Sequence, residues 1–156
     1  MGSSGSSAAG GAMKFKTAQT TLIAAVDRVL NVVPQKTTMP VLGHLLVAAE
    51  KDAVRVTATD LDLTITTTFA AEVFRPGAVT LPAKRFCEIV RQLDPGSDAG
   101  IDVHKSNALI TAGRANFRIV GMGAEEFPNP PAMSFQKALR VAVPALKKAI
   151  QKTVFC

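Results

Sequence analysis

At 156 residues, with 47% hydrophobic content and 18 Lys and Arg against 12 Asp and Glu, the chain has the composition of an ordinary globular protein of about one domain. No apolar run approaches the roughly 18 to 20 residues of a membrane span, and Cys87 and Cys156 make neither a disulfide framework nor a metal-ligand pattern, so no membrane, no metal or other cofactor and a reducing, cytoplasmic setting are expected. The formal net charge of +6 points to a polyanionic partner, and the placement of that charge matters more than its sign.

The opening MGSSGSSAAGGA, residues 1–12, lacks the basic and apolar regions of a signal peptide and reads as a tag-like leader, which places the natural start at Met13. Lys14 to Ala18 reads as a short strand. From Thr20 to Val33 the residues Leu22, Ile23, Val26, Val29, Leu30 and Val33 recur at the spacing of one buried helical face, with Thr20 or Thr21 as the cap. From Val41 to Val73 the texture turns β-branched and alternating: GHLLVAAE, a turn at Glu50-Lys51-Asp52, AVRVTAT, then LDLTITTTFAAEV.

Pro76-Gly77 interrupts this meander, AVTL resumes a strand, and Pro82 stands where the first turn of a helix accepts proline. Phe86, Ile89, Val90 and Leu93 form the apolar stripe of a helix from Ala83 to Leu93. A second meander follows: GIDVHK, a turn at Ser106-Asn107, ALITA, a turn at Gly113-Arg114, and NFRIVGM. Strand, helix and several strands are therefore written twice, which predicts an α+β fold with two helices packed on antiparallel sheet, βαβββ repeated. LRVAVPALKKAI echoes AVTLPAKRFCEI, so residues 134–156 read as the start of another copy after a first domain at 13–133.

The basic residues of the second and third helices fall opposite their apolar stripes. Lys84, Arg85 and Arg91 lie on the second, diluted by Glu88; on the third, Lys147 with Gln151 and Lys148 with Lys152 are i, i+4 neighbours. A single helix of this kind is ordinarily a solvated face, but two in succession with one layout suit phosphate contacts without base readout. Catalytic signals are weak. Asp60 and Asp62 would share a strand face as an acid/base pair, but a turn carboxylate that caps backbone amides explains Asp60 better. His44 and His104 lack metal-like partners, and Gly121-Met122-Gly123 lacks the lysine and helix of a phosphate loop.

Met13-Lys14-Phe15, KTTMPVLGHLLV, TATDLDL, GAVTLPAKRFCEIVRQL and GRANFRIVGMGAEEFPNPP occur in the order and at the spacing of the bacterial DNA polymerase III β subunit, the sliding clamp, and the chain resembles that family from Met13 to Cys156. The resemblance implies a non-catalytic processivity factor with three similar domains per subunit. Two subunits would close head to tail into a ring on duplex DNA, with DNA polymerase III and its clamp loader bound through domains that this chain does not include. It implies DNA-binding positions at Lys36, Lys84, Arg85, Arg91, Lys147 and Lys148, with Lys36 standing where an arginine is often found. It implies a dimer interface at Phe86, Ile89, Leu93, Phe117 and Ile119. A stand-alone basic α/β module that binds duplex DNA non-specifically is the alternative, and a small hydrolase using Asp60 or Asp62 is a distant third.

Overall fold

The computed structural model describes residues 12–129 and 138–154. Residues 1–11 of the expected leader, the boundary at residue 133 and Cys156 lie outside the described residues, while Ala12, expected to end the leader, is the first residue of a strand. Strand β1 (Ala12–Ala18) runs directly into helix α1 (Gln19–Leu30). A 3-10 turn at Pro40–Gly43 then leads into β2 (His44–Glu50), β3 (Ala53–Thr59), β4 (Thr64–Ala70) and β5 (Glu72–Arg75). The pattern recurs with β6 (Gly77–Pro82), α2 (Ala83–Gln92), β7 (Asp98–His104), β8 (Asn107–Ala112), β9 (Ala115–Val120) and the short β10 (Met122–Gly123). Helix α3 (Val143–Thr153) closes the described chain.

The strands form two five-stranded antiparallel sheets, ordered β5-β1-β7-β8-β9 and β10-β6-β2-β3-β4. Each half of the chain therefore gives its leading strand to the other half. β1 pairs with β7, from Ala12 opposite His104 to Ala18 opposite Asp98, while β6 pairs with β2, from His44 opposite Pro82 to Ala49 opposite Gly77. Alternation along the strands turns Met13, Phe15, Leu45, Val47, Val54, Val56, Ile101 and Ile110 inward. Leu22, Val26 and Val29 of α1 and Phe86, Cys87 and Val90 of α2 complete one continuous core. Burying side chains of this size stabilises the fold by about 1.5–3 kcal/mol each.

Several local expectations change. No threonine caps α1: the helix starts one residue earlier, and the Gln19 amide donates to the carbonyl of Ser97, 3.1 Å away. The Gln19 side chain, buried, donates to the Val90 carbonyl at 2.8 Å and ties α1 to α2. The run 61–73 is not one strand. Residues 60–63 form a turn, β4 belongs to one sheet, and after Ala71 the chain crosses to pair β5 with β1 in the other. The second hairpin turns at Lys105-Ser106, with Lys105 at φ 58°, rather than at Ser106-Asn107. Gly113, at φ 57°, takes the left-handed conformation that the expected Gly113-Arg114 turn requires.

The strand expected at 139–143 is absent, since residues 138–142 are irregular and α3 begins at Val143. A strand needs a neighbour to take up its backbone groups, and these residues pair with none among the described residues. Leu139, Val141, Val143, Leu146 and Ile150 are all exposed. Removing residues 134–156 is therefore expected to leave the rest folded, with a melting temperature within about 3 °C of the parent, the shift caused by about 1 kcal/mol in a domain of this size. A much larger loss would place these residues in the core.

One titratable group is built into the sheet that holds β10. His44 Nδ1 lies 3.2 Å from Thr80 Oγ1, and that hydroxyl donates to the Met122 carbonyl, linking β2, β6 and β10. Burial pushes the imidazole below its ordinary value of 6.5, partly offset by a hydrogen bond with the Thr80 backbone and by Glu126. The unfolded chain thus takes up a proton more readily than the native one. The His44 contribution is complete above pH 6.5 and is lost as pH falls through the lowered native value. Urea titrations from pH 7 down to about 5 should show stability falling with a slope that His44→Gln flattens; an unchanged slope in the variant would assign the effect to other groups.

Candidate nucleic-acid interface

Helix α2 presents its polar side to solvent, with Lys84, Arg85, Glu88 and Arg91 exposed while Phe86, Cys87 and Val90 anchor the opposite side. Its first turn holds Lys84 and Arg85, contains no acidic residue and receives no side-chain cap from Pro82. Cations there oppose the positive end of the helix dipole, where unpaired backbone N–H groups favour an anion. Lys36, from the loop after α1, joins them. Lys36, Lys84 and Arg85 border one open hollow of about 470 Å³, together with Pro34, Gln35, Thr37 and Gly43. Lys84 Nζ donates to Gln35 Oε1 at 3.1 Å, a neutral partner that leaves the ammonium charge uncompensated.

Arg91 is placed differently. Its Nη2 donates to Asp27 Oδ1 of α1 at 2.8 Å, and this hydrogen bond is the main cause that pushes the guanidinium pKa further up. The Cys87 thiol lies 3.6 Å from the same oxygen, and burial first, with Asp27 adding, pushes its pKa up. Lys147 and Lys148 are exposed on α3, apart from the hollow. The structure thus brings together Lys36, Lys84 and Arg85, engages Arg91 with a carboxylate and leaves Lys147 and Lys148 on a separate helix. Sequence reasoning missed Gln35 and Asp27, because each acts across a long sequence separation on a partner that only the fold brings near.

A second hollow, of about 480 Å³, adjoins the first at Arg85 and Pro82 and runs between α2 and β9. Glu88, Ile89, Gln92 and Phe117 to Val120 line it. β9 ends its sheet, so one row of its backbone groups has no strand partner among the described residues. Two residues expected on this surface, Phe86 at 0% and Leu93 at 2% exposed, are packed within the chain's own core. Their spacing on α2 marks the buried face, which is also the face nearest the sheet. Ile119, 6% exposed, is buried as well, whereas Ile89 and Phe117 are half-buried at the surface. Val120, 65% exposed, is an apolar residue of this surface that was not among the expected positions.

The catalytic candidates resolve as structural parts. Asp60 Oδ1 accepts from the Asp62 and Leu63 amides at 3.0 and 2.7 Å, the capping role expected of a turn carboxylate. Asp62 therefore belongs to that turn and not to a strand face. His104 Nε2 lies 3.2 Å from Asp102, in the same strand. No three His, Cys, Asp or Glu among the described residues group as metal ligands. Gly121 permits the close passage of β9's end across β6, where a Cβ would collide with the Thr80 carbonyl. No helix among the described residues is long and apolar enough to cross a membrane.

Comparison with known proteins gives these features a setting. Residues 13–131 match the family described as DNA polymerase III beta subunit, N-terminal domain. The beta sliding clamp of Chlamydia muridarum is 38% identical over 148 residues, and that of Synechococcus elongatus 37% over 145; each match covers 92% of this chain and 39% of the relative. The chain thus spans about two fifths of the length of these relatives. A sliding clamp of Bartonella birtlesii, solved bound to griselimycin, superposes with a TM-score of 0.88 at 30% identity, covering 93% of this chain and 39% of that one. The sliding clamp of Bacillus subtilis gives 0.87 at 30% identity, covering 92% and 40%. The two-sheet arrangement is the clamp fold of these structures.

Proposed function

The chain belongs to the DNA polymerase III beta subunit family, and on that premise we propose that it supplies the first domain, and the beginning of the second, of a bacterial replicative sliding clamp. In this reading it is a non-catalytic processivity factor that acts in the cytoplasm. Two subunits close head to tail around duplex DNA, and DNA polymerase III and its clamp loader engage other domains of the subunit. The observation that carries the reading is the convergence of Lys36, Lys84 and Arg85 on the uncapped first turn of α2.

Such a cluster fits phosphates. Ammonium groups are point charges that hold an anion without fixing its orientation, and Lys36 and Lys84 offer no bidentate fork. Phosphate contacts carry no direct sequence information. A closed ring cannot leave DNA sideways, so contacts of this kind can stay weak and interchange from one phosphate to the next as the ring slides. Lys147 and Lys148 on α3 extend the same charge to the following domain. The edge of β9, with Ile89 and Phe117 beside it, meets the partner subunit.

Charge reversal tests the phosphate assignment. Lys36→Glu combined with Lys84→Glu is expected to weaken duplex binding by the whole chain at low salt, equally for unrelated sequences. It should also flatten the dependence of log K on log salt by about 1.8, since each lost phosphate contact removes about 0.9. Unchanged binding would move the DNA-facing surface elsewhere. For the junction, a subunit completed with its remaining domains and carrying Ile89→Ala and Phe117→Ala is expected to sediment as a monomer while its melting temperature changes little. A dimer that persists would exclude the β9 edge as the contact.

A further inference from the structure

Two cations on the same stripe of α2 have unlike partners. Lys84 and Arg91 are seven residues apart, two helical turns, and so lie on one line along the helix. Lys84 touches a neutral amide, whereas Arg91 is bound to the carboxylate of Asp27 across the α1–α2 seam, with both side chains about half exposed. Glu88 stands between them on the same side of the helix.

Building on the phosphate reading above, we infer that Asp27 is a positioning residue that withholds Arg91 from DNA and confines the phosphate contacts to the Lys36, Lys84 and Arg85 end of α2. An arginine already paired with a carboxylate gains little by exchanging one anion for another. The same guanidinium without that carboxylate offers a planar fork that takes a phosphate through two hydrogen bonds. The pair is itself exposed and contributes little to stability, so its consequence lies in the charge that α2 presents. Asp27 thus trims the electrostatic footprint by one contact.

The test is a cycle on the whole chain, read by fluorescence anisotropy with a mixed-sequence duplex of about 20 base pairs over a series of salt concentrations. Asp27→Asn keeps an acceptor oxygen for Cys87 and removes only the charge. It should tighten binding several-fold at low salt and steepen the log K against log salt slope by about 0.9, the signature of one added phosphate contact. Arg91→Gln alone should leave the slope of the parent unchanged, and added to Asp27→Asn it should cancel the gain. Asp27→Ser provides the same comparison should the asparagine variant melt early. An unchanged slope in the charge-removed variants overturns the inference. A gain that survives Arg91→Gln also overturns it, because loss of a negative charge would then act without Arg91. Lys36→Glu and Lys84→Glu measured in parallel separate the two levels. If they weaken binding while Asp27→Asn is silent, only the role of Asp27 fails; if they too are silent, the phosphate reading fails.

Discussion

The exchange of β1 and β6 between the two halves is the constraint on which the rest of the structure depends. β1 is hydrogen-bonded to β7 and β6 to β2, so each sheet lacks an interior strand until the other half has arrived. Met13 meets Val103 and Val47 meets Val79, pairings far apart in sequence whose loop-closure cost falls before the contacts repay it. Each exchanged strand also runs without a gap into its helix, β1 into α1 at Gln19 and β6 into α2 at Ala83. The positions of the helices are therefore set by the sheets, and α1 and α2 come to lie side by side. Gln19 reaching Val90 and Asp27 reaching Arg91 are consequences of that placement, with 71 and 64 residues between the partners.

The same placement decides what α2 shows to solvent. Phe86, Cys87 and Val90 are held in the core, so rotation of the helix is fixed and Lys84 and Arg85 must face outward at its first turn. Opposition between these cations and the helix dipole costs a few tenths of a kcal/mol up to about 1 kcal/mol each. Core burial outweighs that cost easily. An anion brought to the turn satisfies the orphan N–H groups and both side chains at once. Arg85 borders both hollows, so in the proposed ring one helix serves the DNA surface and the subunit junction together.

The order of elements was legible because most carry their own period: α1 and α2 repeat at helical spacing, and β2, β7 and β8 alternate in and out of the core. What local pattern cannot express is which strand pairs with which. The run 61–73 reads as one strand because Thr64 to Ala70 and Glu72 to Arg75 share a β-prone composition, yet they enter different sheets. Phe86 and Leu93 illustrate the corresponding limit for sites, since an apolar helical stripe is the same whether it meets the chain's own core or another subunit. Lys36, Lys84 and Arg85 were identifiable as cations from the sequence and their family motifs. Their convergence, and the separate engagement of Arg91, depend on contacts between residues about 50 to 60 positions apart, which no window of local periodicity contains.

Edges connect the fold to assembly. Four strands end the sheets, and two of them are poor templates: β10 has two residues, and β5 has four with a register shift beside Phe15. The longer ones, β4 and β9, close opposite sheets and differ in character. β4 turns Thr64 and Thr66 toward β3, where they meet Thr59 and Thr57 at 2.9 and 3.1 Å, and its exposed positions are Thr64, Thr66 and Thr68, with Ala70 at the end. β9 carries Phe117 and Val120 beside a hollow of mixed polarity, with Arg118 between them. A heterologous, head-to-tail contact joins two different surfaces and closes into a ring when its rotation permits. For the proposed ring, two long, chemically unlike edges on separate sheets would suit such a contact in a repeating domain, since a single self-complementary edge would stop at an isologous pair.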